Sequence, residues 1–391
     1  MPRPDLLHAL GARTAQRAHE GLLRRLRVVE RSRGAHVAIG GRELLNFCSN
    51  DYLGLAQHPQ IVAALKRAAD EYGVGATAAH LVCGHHREHA MLEEELADWT
   101  GRERALLFSS GWLANFGVMQ ALLDDKTICV QDKLNHASLL DAAKLAGCTL
   151  KRYQHAGVDS AARQLASAQD VPALLATDGV FSMDGDIAPL RELASLCARE
   201  GATLMIDDAH GLGVLGEDGA GSAVEAGLMQ AEAPVLMATL GKALGCAGAF
   251  VAGNKDLIEG LTQFARTFVY TTAMPPALAA AARAALRIAR QENWRREKLR
   301  KLIARFRTGA EKLELRLTES RTPIQPIVLG DSARTLQTSA ALETQGILVT
   351  AIRPPTVPKD TARLRVTLSS AQEEADVDTL LDALSKTVRA E

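Results

Sequence analysis

Between Arg104 and Ala252, short apolar runs alternate with longer stretches of helical periodicity, and this alternation restricts the fold more than any other feature of the chain. The runs are Ala105–Phe108, Thr127–Val130, Thr149–Tyr153, Ala173–Thr177, Thr203–Ile206, Val235–Thr239 and Ala249–Ala252. An apolar run of this length reads as a strand covered on both faces, and strands separated by helical segments imply βαβ units. The expectation is an α/β fold: a large domain over residues 49–275 with a mostly parallel seven-stranded sheet flanked by helices. In open sheets of this kind ligands collect at the carboxyl ends of the strands, so the residues just after each run are the ones to inspect.

The flanks read differently. The N-terminus is arginine-rich but carries Asp5 and Glu20, and Leu6, Leu7, Leu10, Leu22, Leu23 and Leu26 recur at roughly helical spacing, which predicts a helix of the mature fold rather than a transit peptide. A small hairpin, His36–Ile39 and Glu43–Phe47 around Gly40-Gly41, closes an expected N-terminal segment 1–48. A turn-rich connector (Ser49–Leu55), helical patterns at Pro59–Tyr72 and Glu88–Thr100, and a glycine-rich segment (Gly73–Gly84) lead into the sheet. Pro275 to Leu317 has helical bias as one bent helix or two. It links to a smaller C-terminal α/β lobe within 276–391, with strands at Pro326–Leu329, Leu348–Ala351 and Arg363–Ser369, a helix to Gln345 and a last helix from Ala371.

Lysine plus arginine (45) nearly cancels aspartate plus glutamate (46), so no global field favours nucleic acid or an anionic membrane, and small molecules or protein are the expected partners. No apolar run reaches the roughly 20 residues that span a bilayer. The six cysteines form no C-x-x-C pair and sit like small hydrophobes, which fits a reducing, cytoplasmic setting.

Lys242 follows the run Val235–Thr239 and lies between Gly241 and Gly245. A lysine between turn glycines is ordinarily a loop residue. At a buried strand end it can instead be a desolvated amine, with a lowered pKa and nucleophilic toward an aldehyde such as pyridoxal 5'-phosphate (PLP). The other strand ends decide between these. Ser109-Ser110-Gly111-Trp112-Leu113-Ala114-Asn115 opens a helix and is either a simple cap or a phosphate site. In Leu134-Asn135-His136-Ala137-Ser138, His136 is either a core histidine or a ring that stacks on a flat cofactor and acts as an acid. Asp207-Asp208-Ala209-His210-Gly211 ends another run. A buried aspartate there needs a partner, and the protonated nitrogen of a pyridinium is a suitable one, with His210 able to reach a ring substituent.

Three patterns compete. Gly211-Leu212-Gly213-Val214-Leu215-Gly216 matches the dinucleotide fingerprint of a nicotinamide dehydrogenase, but follows Asp-Asp-Ala-His and leads into the turn formers Glu217–Gly221 rather than a helix. The carboxylates Asp178, Asp184 and Asp186 have D-x-D spacing suited to a hard cation but lack the later ligands. His85 and His89 stand four apart without H-E-x-x-H or an evident third ligand, and read as surface or pocket residues. No metal is expected.

Taken together, the lysine after a glycine, DDAHG about thirty-five residues earlier, SSGWLAN, LNHAS and DGVFSMDGD resemble the α-oxoamine synthases, fold-type I PLP-dependent transferases, and the resemblance runs the length of the chain. Within that family, Ile352–Pro358 and Asn50–Leu55 resemble the branch that condenses L-alanine with a pimeloyl thioester, on coenzyme A or acyl carrier protein, in biotin biosynthesis. The resemblance implies that Lys242 holds PLP, Asp207 pairs with the pyridine nitrogen, His210 bonds the ring hydroxyl and His136 stacks on the ring. Gly111, Trp112, Ser182 and Thr239 would make further cofactor contacts. Arg353 would clamp the amino-acid carboxylate, with Arg24, Asn50, His136 and Thr356 also on the substrate side. It further implies a homodimer with shared sites, in which Thr271 and Thr272 reach the partner's phosphate. The nearest alternatives share fold and cofactor: 2-amino-3-ketobutyrate ligase, 5-aminolevulinate synthase and serine palmitoyltransferase. The segment Ala76–Gly84 departs from the family's usual glycine- and serine-rich version and implies no role.

Overall fold

A computed structural model describes residue 3 and residues 5–388; positions 1, 2, 4 and 389–391 of the expected terminal segments lie outside the described residues. All seven runs form strands of one sheet: β1 (Arg104–Phe108), β2 (Ile128–Asp132), β3 (Thr149–Tyr153), β4 (Ala173–Asp178), β5 (Thr203–Asp207), β6 (Val235–Thr239) and β7 (Ala249–Gly253). Their order across the sheet is β1-β7-β6-β5-β4-β2-β3. Pairing is parallel from β6 through β3, and β7 alone runs antiparallel to its neighbours β6 and β1. Helices cover both faces, and the sheet separates two apolar layers. One contains Phe108, Met119, Cys129 and Met237; the other contains Val130, Leu175, Leu193 and Ile206. That double burial is why the strand sequences show no polar alternation.

Helix boundaries follow local chemistry. Ser110 caps Gly111–Leu122 by accepting the Leu113 N–H, Pro59 sits in the first turn of Pro59–Tyr72, and Gly147 and Gly201 end the helices after β2 and β4 in left-handed conformation.

The flanks differ from expectation in two places, the N-terminal helix and the strand Leu348–Ala351, while the linking stretch takes one of its two expected forms. The N-terminal helix spans Leu6–His19 only and buries no side chain, so Leu22, Leu23 and Leu26 lie beyond it. Its leucines had suggested packing, yet Leu6 and Leu7 are 83% and 78% exposed. The linking stretch is two helices, Pro276–Gln291 and Trp294–Lys312, broken at Glu292 where ψ reaches 64°. The expected strand Leu348–Ala351 is divided: Ile347–Leu348 pairs in parallel with Arg42–Asn46 of the N-terminal hairpin, whereas Thr350–Ile352 pairs with Ala362–Thr367 of the C-terminal lobe. Sequentially distant ends of the chain therefore share one small sheet.

The connector after the hairpin is stapled to the C-terminal strand. Thr367 N–H donates to Phe47 O (2.8 Å), Ser370 N–H to Tyr52 O (2.9 Å) and Ser369 Oγ to Asp51 O (2.5 Å). The Asp51 carboxylate in turn accepts the N–H groups of Leu55 (2.8 Å) and Ala56 (3.1 Å). Against Ala56 packs Gly245, at φ +63°, where a Cβ would lie 2.3 Å from the Ala56 nitrogen. Both strain and collision therefore oppose a side chain at Gly245.

Two glycine substitutions separate these effects. Gly245→Ala is expected to cost about 3 kcal/mol through strain and overpacking. Gly260→Ala, in the helix Lys255–Phe264 with open space around it, is expected to stabilise by about 0.5–1 kcal/mol. Urea-unfolding midpoints of the two variants check the ranking.

Candidate active site

Past Thr239 the chain turns back on itself: Leu240 N–H donates to Gly248 O, Cys246 N–H to Leu240 O and Gly245 N–H to Lys242 O, at 2.8–2.9 Å. This loop carries Lys242 inward, where Nζ lies 3.0 Å from His210 Nε2, and His210 Nδ1 lies 2.6 Å from the Tyr52 hydroxyl. Burial lowers the Lys242 amine to about 8, against the opposing pull of Asp207 and Asp178. Burial also holds Tyr52 up at about 12 and keeps His210 far below the usual imidazole range, helped by the charges of Lys242 and Arg365. With Tyr52 donating to Nδ1, Nε2 bears the proton and faces Lys242, an arrangement that requires the amine form of the lysine.

Asp207, at the end of β5, is buried. One carboxylate oxygen accepts Asn115 Nδ2 (2.8 Å) and the other the Ala209 N–H (3.1 Å). A carboxylate offers about four acceptor positions, so lone pairs remain for a further donor. Asn115 also donates to Ser138 Oγ (2.8 Å), which contacts His136 Nδ1 (2.8 Å), so a continuous row runs from Asp207 to the His136 ring. The adjacent strand ends in Asp178, in register with Asp207; both its oxygens take the His136 N–H at 3.2 Å. Burial, then the neighbouring Asp207, push Asp178 well above the usual carboxylate range, against the pull of the His136 N–H and Lys242.

On the other flank the helix Gly111–Leu122 opens toward the same strand ends, and its first N–H groups, at Gly111 and Trp112, precede any intrahelical partner. The Trp112 ring, 43% exposed, stacks on Phe116 and meets the His136 ring edge-on at 6.1 Å. Thr239 Oγ1 bonds Gly248 O (3.0 Å) and the Gly241 N–H (3.2 Å), fixing the start of the lysine loop. Thr271 is half-buried and Thr272 exposed; Thr272 forms an isolated bridge to Ala79, on the far side of the glycine-rich segment.

The substrate-side expectations divide. Asn50 is at the site: its Oδ1 lies 3.3 Å from the Tyr52 hydroxyl and 3.4 Å from two nitrogens of Arg365. Arg353 is not brought there. It donates to Gly21 O (2.7 Å) and lines a hollow of about 570 Å³ with Arg17, Leu22 and Leu336. Thr356 is exposed and only closes a turn on Arg353 O, and Arg24 is exposed in the segment that follows the N-terminal helix. The guanidinium whose charge acts on Lys242 and His210 belongs to Arg365, buried in the strand Ala362–Thr367 and anchored by Nε on Ser182 O (2.7 Å). Sequence reasoning missed it. The available signal was Arg363 and Arg365, two residues apart on one face of an otherwise apolar strand. Asn115 and Tyr52 lay inside recognised motifs but were given no role, because their bonds run to residues 92 and 158 positions away.

The competing patterns have other uses. Residues 208–216 run as turns, followed by a single 3-10 turn at Glu217–Gly219 where a dinucleotide fold needs a helix. Gly211 and Gly221 make room for the buried Asp208, whose carboxylate oxygens would lie 2.0 Å from a Cβ at either position. Asp184 pairs with Arg363, and Asp186 with His155 (2.8 Å), so both carboxylates are spent on cations.

Comparison with known proteins agrees with this geometry. Residues 42–384 match the model of the aminotransferase class I and II family. The 8-amino-7-oxononanoate synthase of Thioalkalivibrio sulfidiphilus is 59% identical over 375 residues, 96% of each chain. Among solved structures, the serine palmitoyltransferase of S. paucimobilis, solved with a bound adduct of PLP and myriocin, superposes with a TM-score of 0.93 at 27% identity, covering 99% of both chains. The 8-amino-7-oxononanoate synthase of Francisella tularensis superposes at 0.78 with 30% identity, over 89% of this chain and 98% of that one. With a family model over most of its length and a relative of this identity along nearly all of it, the chain belongs to the 8-amino-7-oxononanoate synthases, within the aminotransferase class I and II family.

Proposed function

We propose that this protein binds PLP at Lys242 and condenses L-alanine with a pimeloyl thioester, on acyl carrier protein or coenzyme A, releasing carbon dioxide and free thiol and forming 8-amino-7-oxononanoate. The observation that carries the reading is the convergence, at the carboxyl ends of parallel strands of one sheet, of a depressed lysine amine, a buried aspartate with lone pairs to spare and a solvent-facing imidazole.

The residues present fit the cofactor. Asp207 can accept the proton of a ring nitrogen, the exposed His136 ring offers a stacking face, and the start of helix Gly111–Leu122, with Ser182 and Thr239 nearby in the reading, suits a phosphate. When bound, PLP supplies an aldehyde for the amine and an electron-accepting ring for a carbanion at the amino-acid Cα. Lys242 Nζ is the group that takes the Cα proton, since its amine form is populated near neutrality. His210 Nε2, neutral and held by Tyr52, orients that amine. We assign the carboxylate clamp to Arg365 in place of Arg353: its charge acts on the lysine, and its anchors on Ser182 and Asn50 fix the plane in which a substrate carboxylate is held.

The homodimer belongs to the same proposal. It is supported by the unburied leucines of the N-terminal helix and by Phe264 (67% exposed) and Tyr270 (73%) close to Thr271-Thr272. A cytoplasmic setting fits six unpaired cysteines, and among the described residues no helix is long and apolar enough to cross a membrane.

Three outcomes are expected. Borohydride should bleach the yellow band of the wild type while leaving the cofactor covalently attached, and should attach none to Lys242→Ala, read by absorbance and by mass of the labelled peptide. Arg365→Ala should raise KM for alanine at least roughly tenfold, the scale of one lost charge-assisted pair, while Arg353→Ala changes it less; steady-state kinetics on both variants decides the assignment. Because the folded amine titrates near 8 instead of 10.5, it gains its free form as pH rises through about 8. The rate at which apoprotein captures added PLP should therefore climb through that pH and level off above it, as stopped-flow absorbance would show.

A further inference from the structure

The pattern His85-His86-Arg87-Glu88-His89 offers imidazoles on neighbouring turns without a third ligand nearby in sequence, and folding supplies one. The turn His80–Gly84 brings His80 back onto the start of the helix Arg87–Thr100. One ring nitrogen from each of His80, His85 and His89 then lies within 4.8 Å of the other two. The Nδ1 atoms of His80 and His85 face each other at 2.9 Å, and the three ring centroids are 5.1–5.6 Å apart. The cluster borders an open cavity of about 840 Å³ whose wall also includes Glu93, Arg102 and Phe268. None of these groups takes part in the Lys242 site.

We propose that His80, His85 and His89 form a binding site for a divalent transition metal of the zinc class, with water completing the coordination. Neutral imidazole is the donor such ions take, in preference to Mg²⁺ or Ca²⁺. Each neutral imidazole offers one ring-nitrogen lone pair, and the three nitrogens that lie within 4.8 Å of one another supply three such donors. One of the rings, His89, has its far nitrogen bonded to an oxygen acceptor, the arrangement that fixes the tautomer of a metal-bound histidine. His89 Nε2 lies 2.8 Å from Met274 O, and His85 Nε2 lies 3.7 Å from the Glu93 carboxylate.

His80 is held in place by stacking on Phe268 at 5.0 Å, with the planes 16° apart. Tetrahedral bonds of about 2.0–2.1 Å set ligand nitrogens about 3.4 Å apart. The His80–His85 pair is already near that spacing, and His85, the exposed member, is free to turn toward His89. His89 Nδ1 must release the His86 N–H it now accepts at 2.9 Å, and that N–H can turn to solvent at the helix start. A bound ion would tie the turn His80–Gly84 to the helix Arg87–Thr100. It would also stiffen the neighbouring bridge between Ala79 and Thr272.

The test uses untagged, PLP-loaded protein stripped with a chelator and titrated with ZnCl₂, CoCl₂ or MgCl₂ by calorimetry, with visible spectra recorded for Co²⁺. Expected are one Zn²⁺ per chain, intense Co²⁺ d–d bands of a four-coordinate site and no heat from Mg²⁺. His85→Ala and His80→Asn should each weaken Zn²⁺ binding at least roughly tenfold and abolish the zinc-induced rise in Tm, while the PLP absorbance and the metal-free Tm of His85→Ala stay at wild-type values. Failure of the wild type to bind Zn²⁺, or equal affinity in wild type and both variants, overturns the proposal.

Discussion

A lysine amine kept half out of water beside buried carboxylates can exist only where the surroundings cannot relax to hydrate or fully neutralise it. Lys242 meets that condition because each neighbour is itself committed: Asp207 to Asn115 and the Ala209 N–H, Asp178 to the His136 N–H, His210 to Tyr52. Those commitments fix the neighbours in place around a desolvated amine. Burial depresses that amine to about 8 against the pull of Asp207 and Asp178, which makes it available as a nucleophile.

The rest of the molecule is arranged to hold those commitments in place. Parallel strands buried on both faces end in polar residues that have nowhere to turn except the crevice above the sheet. Asp178 and Asp207 are paired in register on neighbouring strands, so their separation is set by the hydrogen-bond ladder itself. Asn50, Tyr52 and Arg365 come from outside the sheet, and the backbone bonds between the connector and residues 367–370 place all three together. The C-terminal lobe thus contributes the positive side of the crevice, while the sheet contributes the negative side.

A parallel logic separates the two histidine groups. His136 and His210 stand at strand ends and are tied into the carboxylate network, whereas His80, His85 and His89 bear on one another and on a different cavity. The first group is organised to move or hold a proton. The second is a set of neutral donors facing a common point, which is the chemistry of coordination.

The sequence by itself determined the seven strands, the helices between them and most of the residues at the strand ends. All of these are written in local patterns: continuous apolar runs, caps such as Ser110, and chemically unusual residues just past a run. The same patterns misplaced the ends of the chain. Leucine spacing implied a helix reaching past Leu22, but such spacing shows only that a stripe exists, and among the described residues nothing buries Leu6 or Leu7. The run Leu348–Ala351 looked continuous, yet its halves pair with different sheets, because strand pairing is a choice between distant partners. Arg353 drew attention through its motif and bonds Gly21 O, whereas Arg365 is buried beside Asn50 and its charge acts on the lysine. Only the tertiary structure could decide between them: an arginine's role depends on where its guanidinium ends, and a C-terminal strand, a connector some 315 residues earlier and a loop of the sheet set that jointly.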